Sequence, residues 1–594
     1  MSARRENAMD PITAQVIHGR LDSIALEMAR KLIRMGFSIV IKESEDIGAA
    51  VTDADGWQLA EADTTPLQMG PIPFYVRGMR KVLGERGEEI RPGDVFIHNS
   101  PYLGASHAPD LGLIVPVFKD DDLVAFSATT AHHMDIGCAK PGTSVIDAVD
   151  EWAGGLRFEA LKLREEGRDN QVLWQMIADN VRIPRLVIGD IEAQIAAAEI
   201  GAQRLLALFE EMGTDQVFAA QKWFEDYSER MLRAEIEVLP DGDYSAEGFV
   251  DGFPDLDDPE KRDLRIAVTL KVRGDELEVD LTGTAPQLAD LPLNMPLEGT
   301  VMCSVFTVVR SVLLDSDNHE PVPQNRGISR ALKVTAPEGC LANPTFPAPT
   351  LARVMPACVL TDTLVKAFAE IVPERCCAGC GTLAILSYSG VKDGDYWVHM
   401  DIHEGSYGAR WTKDGMDAVD TLFTNTRCAP VEEIETEYPL RCLRWELNDY
   451  EVGHGQFRGG KGGLREFQFL TDGYISSEAD GQRHRPWGLA GGDSAHPAEI
   501  WVLDPDGAAE QLSSKLPGRS TRSGQIYRLI AANGGGTGPA RERDPQLVLE
   551  DWLDGIVTLE QAEEAYGVVI DAAAKAVLSE ETAARRGKSG AAAR

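Results

Sequence analysis

No apolar run in this 594-residue chain reaches the roughly 18–20 residues that a membrane span needs. The longest candidate, Val301 to Leu314, is interrupted by Ser304, Thr307 and Arg310 and reads as a buried helix. The opening residues carry Arg4 and Arg5 with no apolar stretch behind them, so no secretory signal is expected. Positive charge is scarce: 58 Lys and Arg stand against 95 Asp and Glu, a net charge of −37. That excludes nucleic acid as a main partner, because phosphate binding needs the opposite sign. It also disfavours an anionic membrane surface. The 9 cysteines are odd in number and scattered, which fits reduced thiols in a cytoplasm better than a disulfide framework. A nucleotide-binding loop is missing. Gly459-Gly460-Lys461-Gly462-Gly463 lacks the required spacing, and Gly587-Lys588-Ser589 follows Thr582 where the motif needs glycine. A serine nucleophile elbow is missing as well.

What is present points to several domains, since single cores stop growing well below this length. Asp10 and Pro11 open a helix whose apolar residues recur at Ile12, Val16, Ile17, Leu21, Ile24, Met28 and Leu32. It ends near Arg34, before Gly36. A strand is predicted over Phe37–Ile41, then a hairpin around Asp55-Gly56. Strands at Asp94–Ile97 and Leu123–Thr129 each run into polar residues, a common place for chemistry. Residues 169–238 read as helical, 265–272 and 277–281 as strands, 299–314 and 356–371 as helices. From Ile385 onward strands and Gly-rich loops dominate. The expected fold class is mixed α/β (α+β), multi-domain, with long helices in the middle and a β-rich C-terminal part. The expected division is a disordered tail over 1–9, an α/β metal-site domain over 10–239 and a β-rich insertion over 240–298. An α/β domain over 299–430, a β-rich Gly-loop domain over 431–578 and a disordered tail over 579–594 follow.

Among 11 histidines, His107, His132 and His133 stand out. They lie in His107-Ala108-Pro109-Asp110 and Ala131-His132-His133-Met134-Asp135-Ile136-Gly137. Imidazole with carboxylate suits Zn, Mn or Fe in the divalent state. A H-x-x-D pair can place two ligands on one turn, a histidine from a neighbouring strand end can close the site, and Asp46 can supply a further oxygen. Such a set with an open water position is what catalytic metals use. Short H-x-x-D strings also arise by chance. His98 reads as a packed histidine. Cys376, Cys377 and Cys380 have redox or zinc spacing, with buried inert thiols the preferred reading. The Gly534–Gly538 segment reads as an anion-binding loop or, by preference, as a tight loop needing positive φ.

Taken together, several strings resemble the hydantoinase B family over about Asp10 to Ile570. They are Asp10-Pro11-Ile12-Thr13; Pro92-Gly93-Asp94-Val95 with Asn99, Pro101-Tyr102, Gly104, His107 and Asp110; and the AHHMDIG run. Asn180, Arg182, Pro184, Gly189-Asp190, Leu239-Pro240-Asp241-Gly242, Asp280, Thr282-Gly283-Thr284 and Gln287 follow. Asn343-Pro344, Gly534–Gly536, Arg543-Asp544-Pro545 and Tyr566-Gly567-Val568 complete the set. The resemblance implies a divalent metal (Zn, Mn or Fe) on His107, Asp110 and His132, joined by Asp46, with His133 and Asp135 as acid–base or supporting groups. The chain departs from the family pattern at Gln68-Met69-Gly70, Asn99-Ser100-Pro101 and Gly154-Gly155-Leu156.

The resemblance further implies the B-type component of an ATP-dependent hydrolase acting on a cyclic amide of the hydantoin, lactam or oxoproline type. ATP binds to a hydantoinase A-type partner in a hetero-oligomer. The partner phosphorylates the amide and a metal-bound hydroxide attacks it. A component of an ATP-dependent ketone carboxylase of the acetone or acetophenone type, or a non-catalytic assembly subunit, are the alternatives.

Overall fold

The computed structural model describes residues 9–589 except 254, 255, 257, 317 and 318. Residues 1–8 of the expected N-terminal tail and 590–594 of the expected C-terminal one therefore lie outside the described residues. Helix α1, Pro11–Met35, is capped as the sequence predicts, with Asp10 Oδ2 accepting the Thr13 N–H at 2.9 Å. Phe37–Ile41 is not a strand. Ile39–Lys42 forms the short helix α2 instead. Asp190 accounts for this: its Oδ1 accepts the Phe37 N–H at 2.7 Å and the Ser38 N–H at 3.1 Å. The donors that would have joined a sheet are occupied by a side chain from a distant helix.

Seven strands follow: β1 Ile47–Asp53, β2 Gln58–Glu61, β3 Val95–His98, β4 Asp110–Lys119, β5 Asp122–His132, β6 Leu161–Glu165 and β7 Arg168–Asp169. They form one antiparallel sheet in the order β2-β1-β5-β4-β3-β6-β7. Side chains alternate across a strand, and here each face meets helices. Ile114, Phe126 and Ala128 pack with Tyr75, Val76 and Met79 of α3 (Ile72–Arg86), while Leu113, Val115 and Ala125 turn to the other face. That second face is covered by α1 and by the long helical block of α4 Gln171–Asn180, α5 Pro184–Met212 and α6 Thr214–Glu237.

A second sheet, in the order β11-β10-β9-β8, uses β8 Gly242–Asp251, β9 Asp263–Arg273, β10 Glu276–Asp280 and β11 Leu332–Thr335. Helices α7 Met302–Leu313, α8 Ile328–Ala331 and α9 Val354–Ala369 accompany it. Nine strands then follow: β12 Ala384–Lys392, β13 Asp395–His403, β14 Leu440–Leu447, β15 Gly463–Phe469, β16 Gly473–Glu478, β17 Glu499–Leu503, β18 Ala509–Leu512, β19 Lys515–Thr521 and β20 Ile526–Ile530. They make two sheets, β13-β12-β16-β19 and β14-β15-β20-β17-β18. Buried Arg465 on β15 joins the two by bonding Asp401 of β13 and Glu404. One apolar cluster runs through the whole assembly, from Ala14 to Leu529.

The C-terminal segment is more ordered than its composition suggests. Ser579–Ser589 is helical, held where Thr582 Oγ1 accepts the Val569 N–H at 3.0 Å and Arg586 bonds the Tyr566 and Arg543 carbonyls. The Gly-rich loops also differ from expectation. Within Gly534–Gly538 only Gly538 has positive φ. A Cβ on Gly534 would lie 2.1 Å from the Tyr407 carbonyl oxygen, and one on Gly459 would lie 1.7 Å from that of Gly534. Close passage of backbone past backbone, not turn geometry, requires glycine there.

Asp190→Ala should cost about 1–3 kcal/mol, the price of stranding buried N–H donors. A thermal melt reads it, and an unchanged melting temperature would show that the 37–38 turn needs no anchor.

Candidate metal centre

The register of the first sheet assembles the site. Asp110, the first residue of β4, is the cross-strand partner of His132, the last of β5. Ile47 of β1 pairs with Ala131, and the His132 N–H reaches the Asp46 carbonyl at 3.2 Å. Asp46, Asp110 and His132 thus meet at one end of the sheet. His107 joins through the turn before β4, in which the Asp110 N–H bonds the His107 carbonyl at 3.1 Å. Asn99 braces that loop: its side chain donates to the Ala108 and Leu156 carbonyls at 2.6 and 2.9 Å and accepts the Phe158 N–H at 2.6 Å.

Three atoms converge. His107 Nε2 and His132 Nδ1 each lie 3.0 Å from Asp110 Oδ1, and 3.2 Å from each other. The outer contacts decide where the protons are. His107 Nδ1 faces the Leu351 carbonyl oxygen at 2.8 Å. A carbonyl only accepts, so Nδ1 carries the proton and Nε2 presents its lone pair. His132 Nε2 lies 3.1 Å from Thr143 Oγ1, whose hydroxyl points to the Met400 sulfur at 3.7 Å. With Thr143 accepting from Nε2–H, His132 Nδ1 offers its lone pair as well. In these tautomers two imidazole nitrogens and a carboxylate oxygen face one point. The donor set fits a divalent cation of the Zn, Mn or Fe type, and these residues form the one such group of three among the described residues.

The electrostatics agree. Burial, reinforced by the Arg353 guanidinium, lowers the His107 pKa to about 4, so the ring is neutral near pH 7. Burial alone would raise Asp110, but His107 and Arg353 outweigh it and hold the carboxyl well below its usual range. Arg353, at the start of α9, is itself buried. Its Nη2 donates to Asp110 Oδ2 at 2.8 Å and its Nε to Ser106 Oγ at 2.8 Å. Oδ2 is thereby neutralised while Oδ1 is left to the centre.

The other expected residues are placed differently. Asp46 lines the same cavity but stands outside the converging atoms. Its Oδ1 accepts from Gln68 Nε2 at 3.1 Å, and burial raises its pKa to about 6. His133 points away, its Nε2 2.9 Å from Gln194 Oε1 on α5. Asp135 is held by the Arg182 side chain at 3.0 Å and by the Arg182 and Gly137 N–H groups. Neither reaches the cavity. Cys376, Cys377 and Cys380 are buried, with the Cys377 and Cys380 sulfurs 3.9 Å apart and no further ligand gathered around them among the described residues.

The cavity's far wall was not legible in the sequence. It is built by Ile385, Met400, Ile402 and Glu478 from the β13-β12-β16-β19 sheet, with Thr424 and Thr426. Glu478 is 3 % exposed, and burial, eased by Arg353 and Lys515, raises its pKa to about 7. The free space is ≈ 20 Å³, about what one water needs.

The chain as a whole has known relatives. Residues 10–540 match the Hydantoinase B/oxoprolinase family. The chain belongs to that family. It is 51% identical to the B-type component of a putative D-/L-hydantoinase from a Pseudomonas species (strain NS671), over 95% of each chain. The crystal structure of an ATP-dependent caprolactamase from Pseudomonas jessenii superposes with a TM-score of 0.87 at 27% identity, covering 98% of this chain and 100% of that one. A nucleotide-free acetone carboxylase structure shares the fold, with a TM-score of 0.87 at 19% identity over 98% of this chain and 83% of that one. No helix among the described residues is long and apolar enough to cross a membrane.

Arg353→Lys keeps the charge but loses the two-armed contact with Asp110 and Ser106. Metal affinity should fall about 10–100-fold, the usual effect of removing a group that orients a ligand. Chelator competition measures it, and wild-type affinity would show that Asp110 needs no such support.

Proposed function

We propose that this chain is the metal-bearing, B-type component of an ATP-dependent hydrolase of cyclic amides, hydantoins above all. The observation that carries the reading is the convergence of the His107, Asp110 and His132 lone pairs. The identity to the hydantoinase relative, nearly twice that to the caprolactamase chain, supports the hydantoin ring over a simple lactam. ATP would bind to an A-type partner in a hetero-oligomer, which agrees with the missing phosphate loop in this sequence.

An amide resists attack because resonance holds it planar. Phosphorylation of its oxygen by the partner removes that resonance. His107, Asp110 and His132 would hold the divalent metal, which when bound lowers the pKa of water and polarises a carbonyl or phosphoryl oxygen. Arg353 keeps Asp110 ionised and aimed at the centre. Thr143 and the Leu351 carbonyl keep both imidazoles in the tautomer that offers a lone pair. The apolar wall of Leu67, Leu383, Ile385, Met400 and Ile402 excludes bulk water around the reacting carbon.

The test is elemental analysis beside coupled turnover. The wild-type chain should hold close to one divalent metal. With its partner, ATP and a 5-alkylhydantoin, the complex should open the ring without bicarbonate. The His107→Ala/His132→Ala chain should lose the metal and at least about 100-fold in ring opening, on the scale that loss of a catalytic group carries. Turnover that survives in this variant would overturn the reading. Bicarbonate carbon entering the product would replace it with a carboxylase.

A further inference from the structure

Resting on the hydrolase reading, we infer that Glu478 is the residue that carries protons to the leaving nitrogen of the ring. Glu478 closes β16, opposite Ile385 on β12 and Lys515 on β19. Directly paired residues share a face of a sheet, and Ile385 lines the metal cavity, as Glu478 does. The backbone N–H groups of Val354 and Met355, at the start of α9, face its carboxylate. Its Oε1, though buried, has no hydrogen-bond partner. An unpartnered buried carboxylate oxygen is costly, and one kept opposite the candidate metal centre has a use there.

The other ionisable groups of that cavity are accounted for. His107, His132 and the Asp110 behind them make the ligand set. Asp46 stands on the ligands' own side and is bonded by Gln68. Arg353 cannot give up a proton near neutral pH. Only Glu478 comes from the opposite sheet, so an atom between the walls has the ligands on one side and this carboxyl on the other.

The chemistry balances as follows. Water adds across the C=N bond of the O-phosphorylated amide, and its oxygen stays on carbon. The C–N bond then breaks. Both of water's protons end on nitrogen, which in a hydantoin leaves as the NH2 of a carbamoyl group, and carbon is left as an acyl phosphate. If nitrogen is not protonated, phosphate leaves the same adduct instead and the amide is regenerated, with water oxygen in its carbonyl. Glu478 decides between these exits by moving protons from oxygen to nitrogen.

The experiment compares Glu478→Gln with wild type in the reconstituted complex, with ATP and a 5-alkylhydantoin in ¹⁸O-water. Gln keeps the size of the side chain and an acceptor for the α9 N–H groups. Ring opening should fall about 10²–10⁴-fold, the range for a proton-transfer residue. ATP consumption should fall much less, and unopened hydantoin should gain ¹⁸O. Metal content of the isolated chain should match wild type. Glu478→Asp, which keeps the carboxyl, should restore part of the ring opening. Ring opening within threefold of wild type overturns the assignment. So do equal losses of ATP consumption and ring opening without label exchange, or loss of the metal, since either places Glu478 in the assembly of the site. The hydrolase reading fails separately, through turnover that survives His107→Ala/His132→Ala.

Discussion

Lone pairs that face one point repel one another, and a folded chain does not gather them unless something positive belongs between them. In this protein the gathering is done by strand register. Asp110 and His132 are paired across β4 and β5, and a slip of one residue would turn both to the opposite face. That slip is forbidden because both faces of the sheet are buried, one under α3 and the other under α1 and α5. The site is therefore as rigid as the core. Its geometry is set by apolar packing far from the chemistry, which is how ligand positions are best preorganised.

Rigidity alone does not keep a carboxylate ionised in a dry place, since burial opposes its charge. Asp110 keeps its charge through Arg353, and Arg353 stands 243 positions further along the chain. The imidazole of His107 is fixed by Leu351, just before that arginine. The start of α9 thus supplies the outer contacts of a centre whose ligands sit on the first sheet. This makes the centre a product of the whole fold rather than of its N-terminal third.

The ligand pair His107 and Asp110 was legible because one turn joins them, and His132 because a strand end was visible before it. What separates His132 from His133 was not legible. The two are adjacent, but successive side chains of an extended chain point opposite ways, and His133 goes to Gln194 on α5. Asp135 looked available only because Arg182 is distant in sequence. The Phe37–Ile41 segment has the composition of a strand and becomes a turn and short helix, since Asp190 takes its first two donors. The helical block over 169–238 and the hairpin at Asp55-Gly56 were legible from period and turn chemistry. The Gly534–Gly538 loop was recognisable as a constraint but not as the right one, because backbone-to-backbone approach leaves no mark that distinguishes it from a tight turn.

The two walls of the cavity have different origins. The ligand wall belongs to a sheet whose register leaves no freedom, and the opposite wall belongs to β12, β13 and β16 with the loop of Thr424 and Thr426. Chains only 27% and 19% identical keep the same frame to a TM-score of 0.87. A frame this tolerant of sequence hosts different reactions by changing what faces the bound atoms rather than how the strands run. On the ligand side Gln68 meets Asp46. The second wall can vary without disturbing the three converging atoms, because no ligand of the centre stands on it.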